Sequence, residues 1–395
     1  MAETVLAFLL QYKFIILFYL AVVLFLFFQR KKLDVQAKVI FLYRMKWGLA
    51  WMDKYASKFR EWVILLGYIG VGAGYVGLIL ISFILFKNLF DLATKPEAVS
   101  GVSLVLPGID VPGMGILPFW YWIIAIFVIA IVHEFAHGIV ARAHRVEVKN
   151  TGLVFFGPIL GAFVEPDEKK LRKEQDIVQY SVLAAGSFSN ILLAIVAMIV
   201  LGLVLTPLQE RMVTPTGFTF DAYAAESLPF AQAGIAPGTL ITGINGVATT
   251  EFQAFGEELT AFKPGQKIIV MTAEREYALT LAPHPDNPRK PYLGIQEIHN
   301  EFDINEPYAS GAGKIFYALL NWLMGFLRWL FLLSLGIGLF NLLPLPIVDG
   351  GRMAQVFLHK LKGADVGERR YRQVSVFFLL VLLLNLFFPL LVKLF

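Results

Sequence analysis

Residues 117–141 read LPFWYWIIAIFVIAIVHEFAHGIVA. Up to Val132 every side chain is apolar or aromatic, and a helix of about 20 such residues crosses a bilayer core. Three ionisable side chains then follow within five positions: His133, Glu134 and His137. Residues four apart share a helix face, so both imidazoles can reach one metal ion. Glu134 is turned by about 100° from His133, near enough to take a proton from a water at that ion. A charge at bilayer depth costs something like 2.5–3.5 kcal/mol on insertion scales. Such side chains persist where they line a polar cavity, and that cost weighs against the plainer reading of hydrogen-bonded core histidines.

Working outward, the same apolar character recurs along the chain. Hydrophobic residues make up 57% and charged residues 16%, against roughly half and a quarter in a soluble domain. Mean hydropathy is +0.66. Apolar stretches long enough to span lie at 5–28, 62–90, 117–141, 180–205, 327–345 and 374–394, predicting about six transmembrane helices. The first run is of full length and has no small-residue cleavage site, so it reads as a span rather than a cleaved leader. Basic residues mark the intervening segments: Arg30, Lys31, Lys32, Lys38, Arg44, Lys46, Lys54, Lys58 and Arg60 after the first span; Lys169, Lys170, Arg172 and Lys173 after the third; Lys360, Lys362, Arg369, Arg370 and Arg372 after the fifth. Positive loops stay cytoplasmic, so all three agree on one orientation with the N-terminus outside. Helix rise then sets the histidines roughly 10 Å inside the membrane from the cytoplasmic side. The net charge of +4 bears on topology, and no nucleic-acid partner is expected. There are no cysteines, which excludes disulfides, iron–sulfur clusters and cysteine nucleophiles; a metal must be held by His, Asp or Glu.

A catalytic zinc takes three protein ligands and keeps a position for water, so a third is needed. The outstanding intramembrane carboxylate is Asp349 in NLLPLPIVDGG, residues 341–351. Pro344 and Pro346 break the helix, and the glycines free the backbone after Asp349. Taken alone this could be a helix stop at the membrane surface; beside HEFAH on another span ending on the same side, it is read as part of the site. The two motifs together resemble the site-2 protease family of intramembrane zinc metalloproteases, whose patterns are HExxH and NxxPxPxxDG. The resemblance covers about 117–205 and 326–361. It implies one catalytic Zn2+ held by His133, His137 and Asp349, with Glu134 activating water. It also implies that Asn190, in GSFSN at 186–190, and Asn341 contact substrate. Gly186 has the simpler reading of close helix packing. Residues 148–164, VKNTGLVFFGPILGAFV, occupy the place where the family presents substrate as an extended strand beside a hairpin; an interfacial loop is the alternative.

The one long soluble segment, about 207–311, is broken into short runs by Gly, Pro and Asn. Strands are expected at 240–246, 267–272 and 277–281, with a helix over 250–262. AQAGIAPGTLITGING at 231–246 resembles a PDZ domain, with Thr239 where Asp is usual. That resemblance leaves peptide capture and size filtering over the active site both open.

The expected fold class is therefore a polytopic α-helical membrane protein with a small extracytoplasmic α+β PDZ-like domain. Residues 1–116 form a two-helix membrane region and outer loop, 117–206 the core with the HExxH helix, hairpin and following helix, 207–311 the PDZ-like domain, and 312–395 the DG-motif helix and last span. The expected partners are the lipid bilayer, a membrane-protein substrate with a single transmembrane segment and a peptide for the PDZ-like domain. Two other functions fit parts of the sequence: a membrane-anchored zinc protease acting on soluble peptides, with a later Glu as third ligand, and a non-catalytic PDZ-bearing sensor. A purely structural metal has no use for Glu134.

Overall fold

In the computed structural model, which describes residues 12–36, 39–95, 101–102, 106–108, 110–111, 115–156 and 159–392, the apolar runs are helical. Among the described residues five helices are long and apolar enough to cross a membrane: Arg60–Thr94, Phe119–Ala143, Asp176–Glu210, Gly311–Phe340 and Ala364–Phe388. The span expected at 5–28 corresponds to a shorter apolar helix, Lys13–Gln29; the start of that expected span lies outside the described residues. We label the helices used below α1 (Lys13–Gln29), α2 (Leu49–Lys58), α3 (Arg60–Thr94), α4 (Phe119–Ala143), α5 (Asp176–Val200), α6 (Gly311–Phe340), α7 (Asp349–Lys362) and α8 (Ala364–Val392). The chain divides into two compact units, one of Met1–Leu201 with Gly325–Phe395 and one of Gly202–Met324.

In the first unit, small residues let the helices approach, as they do where lipid offers no hydrophobic drive for association. Gly67, Gly70, Gly74 and Gly77 share one buried stripe of α3. A Cβ at Gly67 would stand 2.2 Å from Ser181 Oγ on α5, and one at Gly74 3.1 Å from Met353 Cε on α7 and 3.2 Å from Ala184 Cβ on α5. Helix α3, which lies outside the 117–205 and 326–361 stretches that carry the motifs, thus packs on α5 and α7. Helix α1 has no buried residue; it meets α4 through rings, with Phe14 5.3 Å from Trp120 and Phe18 6.1 Å from Phe119.

Two expectations are corrected here. Residues 33–58 are more than a basic loop: they hold strands β1 (Leu33–Gln36) and β2 (Ile40–Met45) and helix α2. The reason is the run Ile40-Phe41-Leu42-Tyr43, β-branched and aromatic residues that suit a pleated surface. Strand β2 pairs with β3 (Val148–Phe156), which pairs in turn with β4 (Ile159–Pro166), giving an antiparallel sheet of order β1-β2-β3-β4. The stretch 148–164 is therefore carried by two paired antiparallel strands rather than an interfacial loop; Gly157 and Pro158 lie outside the described residues. The second correction concerns the fifth apolar run, placed at 327–345. Helix α6 ends at Phe340, and 341–348 are turns leading into the separate helix α7. Leu342, Leu343 and Leu345 are buried there, so their hydropathy marks core rather than span.

The second unit is built on a six-stranded antiparallel sheet. Its main path is β8 (Glu276–Thr280), β7 (Lys267–Thr272), β6 (Ile241–Ile244), β5 (Val213–Tyr223) and β9 (Ile295–Ile304), with a helix at Phe252–Leu259. Phe218 packs its ring 5.1 Å from both Phe252 and Phe255, within a core that includes Phe220, Phe230, Ile241 and Val270. After β6 the chain reverses at Asn245 and Gly246, with φ of +49° and +81°, the two left-handed positions an Asn-Gly turn supplies. Asn245 Oδ1 accepts a 2.6 Å bond from Ile269 N and ties that turn to β7.

Candidate metal and catalytic centre

Helix α4 brings the two imidazoles one turn apart on its buried side, with ring centroids 4.8 Å apart. His137 Nδ1 lies 2.7 Å from the Val182 carbonyl oxygen of α5. A carbonyl only accepts, so Nδ1 carries the proton and Nε2 presents a lone pair. His133 Nε2 is 3.2 Å from His137 Nε2, and behind it His133 Nδ1 lies 3.1 Å from the side-chain amide of Asn190 (Nδ2). With the amide turned so that Oδ1 accepts from Nδ1–H, His133 Nε2 presents its lone pair too.

Asp349 arrives from the other side. The break after Phe340 reverses the chain, and Gly350 N donates to Asn341 O at 2.8 Å. This turn leaves no room for side chains: a Cβ on Gly350 would stand 2.0 Å from Leu342 O, and one on Gly351 1.7 Å from Leu345 O. Asp349 is thereby set at the first position of α7, with Oδ2 3.2 Å from His133 Nε2 and 3.3 Å from His137 Nε2. The three ligand atoms lie within 4.8 Å of one another. Among the described residues Asp349 Oδ2 is buried and receives no hydrogen bond. Two imidazole nitrogens and a carboxylate oxygen without a hydrogen bond converge in a buried place, a group that could hold a metal ion, and this nitrogen–nitrogen–oxygen set suits zinc.

Gly186 belongs to the same arrangement. A Cβ there would stand 2.3 Å from His137 Nε2 and 2.5 Å from His133 Nε2. Glu134 sits beside the three ligands, its Oε2 accepting a 2.8 Å bond from Val164 N on β4. Strand β4 ends its sheet, and this amide lies on its outer edge. Asn190 is fully buried and presses against His133 while also lining the cavity; Ser334 Oγ on α6 holds its backbone oxygen at 2.7 Å. Asn341 lines the cavity as well. That cavity, about 370 Å³, is bordered by His133, Glu134, His137, Asn190, Asn341 and Asp349. A second, apolar cavity of about 610 Å³ shares Ile126, Glu134, Gly161, Ala162 and Val164 with it. The sequence reading missed Val182, Val164 and Ser334. Each acts on the site through a backbone group or on one, and no motif announces such a contact.

The sequence model described as peptidase family M50 matches residues 121–386. An uncharacterised protein of Methanocaldococcus jannaschii is 24% identical over 341 residues, covering 84% of this chain and 80% of that protein. Protease RseP of Yersinia pestis is 43% identical over 83 residues, covering 20% of this chain and 17% of the protease. The regulator of sigma-E protease RseP of Salmonella typhimurium (strain 14028s / SGSC 2262) is 45% identical over 65 residues, covering 15% and 14%. The chain thus matches only a small part of the length of these named proteases. Among solved structures, the PDZ domain of an SdrC-like protein from Listeria monocytogenes is similar over 21% of this chain and 88% of that domain, at 22% identity and a TM-score of 0.19.

Proposed function

We propose, for a chain that belongs to peptidase family M50, the site-2 protease family, that it is a zinc-dependent intramembrane endopeptidase. On this reading it cuts peptide bonds in or beside the transmembrane segment of single-span membrane proteins. The observation that carries the reading is the convergence of His133 Nε2, His137 Nε2 and Asp349 Oδ2 on one buried point beside Glu134. When bound, one zinc ion supplies the positive charge that acidifies a water and polarises a peptide carbonyl. His133, His137 and Asp349 hold it, with Val182 O and Asn190 fixing the two imidazole orientations, the support that ligating histidines generally receive.

Glu134 is the general base. It takes a proton from the attacking water as the C–O bond forms and delivers it to the leaving amine as the C–N bond breaks. A helical substrate hides its carbonyls, so it must unwind first. The outer edge of β4 can take the unwound segment as an added strand, binding backbone rather than side chains. Asn341 faces the same cavity and contacts the bound segment. The basic segments support a site nearer the cytoplasmic face and a PDZ-like unit outside.

The test compares one cleavable sequence in two contexts, using the full chain in vesicles. Cleavage of the sequence within a transmembrane segment, with the soluble peptide left intact, is expected. Equal turnover of the soluble peptide would instead favour a membrane-anchored protease working in water.

A further inference from the structure

Helix α2 lies between the sheet strand β2 and the membrane-type helix α3, which starts two residues after it ends. One of its faces is buried: Met52 and Ala56 are inaccessible to solvent and Met52 packs in a cluster with Val140 and Val182. On a helix of 3.6 residues per turn, Trp51, Tyr55, Lys54 and Lys58 fall together on a flanking face about 100° wide. That face is open: Trp51 is 66% exposed and Tyr55 44%. The aromatic series continues beyond the helix at both ends, with Trp47 61% exposed, Phe59 43% and Trp62 67%. Tyr55 stacks on Phe59 at 6.3 Å, and the Lys58 ammonium lies 5.1 Å from the Phe59 ring.

Two exposed rings on this ten-residue helix, with three more just beyond its ends, make an apolar surface that needs a cover, and the charges beside them say which. The nearby carboxylates are engaged: Asp53 pairs with Arg142 at 3.1 Å and Glu61 with Arg60 at 3.0 Å. Lys46, Lys54 and Lys58 have no carboxylate within 4.0 Å among the described residues. Rings with one apolar and one polar side, mixed with lysines whose stems can lie along apolar surface, match the chemistry of a headgroup layer. An uncompensated lysine row beside them matches an anionic one.

We propose that α2, with Trp47, Phe59 and Trp62 at its ends, docks on a bilayer surface of anionic phospholipid. The rings enter the headgroup boundary and Lys46, Lys54 and Lys58 meet the lipid phosphates. This rests on the chain lying in a membrane and is independent of its acting as a protease. The surface reaches the metal site through two close approaches. A Cβ on Gly48 would stand 2.4 Å from the Phe135 ring, and one on Gly138 2.5 Å from Met52 Sδ. Phe135 lies within the His133–His137 turn and Gly138 directly follows it, so α2 and its N-terminal Gly48 pack against that turn.

The chain has no cysteine, so Tyr55→Cys gives a single attachment point for a fluorophore. The full chain so labelled is reconstituted into phosphatidylcholine vesicles with and without phosphatidylglycerol, and quenching by acrylamide, a neutral aqueous quencher that the surface charge does not repel, is measured. A severalfold fall in the quenching constant is expected in the anionic vesicles. The fall should vanish when Lys46, Lys54 and Lys58 are all changed to Gln, surface changes that leave the buried face intact. Equal quenching in both vesicle types, or an unaltered fall in the triple-Gln chain, would overturn the proposal. A cleavage assay plays no part in the readout, so inactivity of the enzyme would leave this result standing.

Discussion

Gly186 stands where no side chain fits, with an added Cβ 2.3 Å from His137 Nε2 and 2.5 Å from His133 Nε2. The close approach is on the ligand side of both rings, so Gly186→Ala should disturb the metal rather than the fold. Overpacking of this kind costs about 1–3 kcal/mol, and 1.4 kcal/mol is a factor of about ten in affinity. Zinc affinity, read by competition with a weak chelator, should therefore fall by roughly 5- to 150-fold, while circular dichroism stays unchanged. Gly72→Ala, where nothing lies within 4 Å, should retain zinc normally. At this scale much was legible beforehand. His133, Glu134 and His137 share a local spacing, and Asp349 announces itself by being a carboxylate in an apolar run. Asn190 was legible as a polar residue to be explained, but its place behind His133 depends on how α5 rotates against α4, which no motif fixes.

At the scale of elements, the sheet beside the site is held at its edges by charge. Arg44 on β2 donates to Asp34 on β1 at 2.6 Å and to Glu165 on β4 at 3.2 Å, and Asn150 donates to Glu165 at 3.0 Å. Hydrogen bonds from Arg44 and then Gln36 hold the Asp34 carboxyl below its ordinary range, and those from Asn150 and Arg44 do the same for Glu165. A depressed carboxylate stabilises the folded form above its ordinary pKa and loses that effect as pH falls through the folded value. Hydrogen exchange of the β1 and β2 amides should thus be faster in Arg44→Gln than in the native chain at neutral pH. The difference should be modest, as these groups are partly exposed, and should close as pH falls below the ordinary values of 3.8 and 4.5. A difference that widened on acidification would rule out the charge account. Strand β2 itself escaped the sequence reading because Lys38, Arg44 and Lys46 surround Ile40-Phe41-Leu42-Tyr43, and a basic loop was the stronger signal. The helix break was legible from Pro344 and Pro346. The restart as α7 was not, because a buried turn carrying Leu342, Leu343 and Leu345 has the same hydropathy as a span.

For the whole molecule, the division into a helical unit and a β unit followed from composition, since apolar runs and Gly- and Pro-broken strands scarcely overlap. Among the described residues five helices meet the length and hydropathy of a span; His133 and His137 lie on one of them, and Asp349 begins the separate helix α7. The most direct measurement is cleavage of a membrane-tethered substrate by the full chain and by Glu134→Gln in the same vesicles, with zinc assayed on both. Removing a general base costs about 10²–10⁴-fold, so the variant should lose cleavage by that order while keeping its zinc. Cleavage at the native rate by a zinc-loaded Glu134→Gln chain would contradict the assignment.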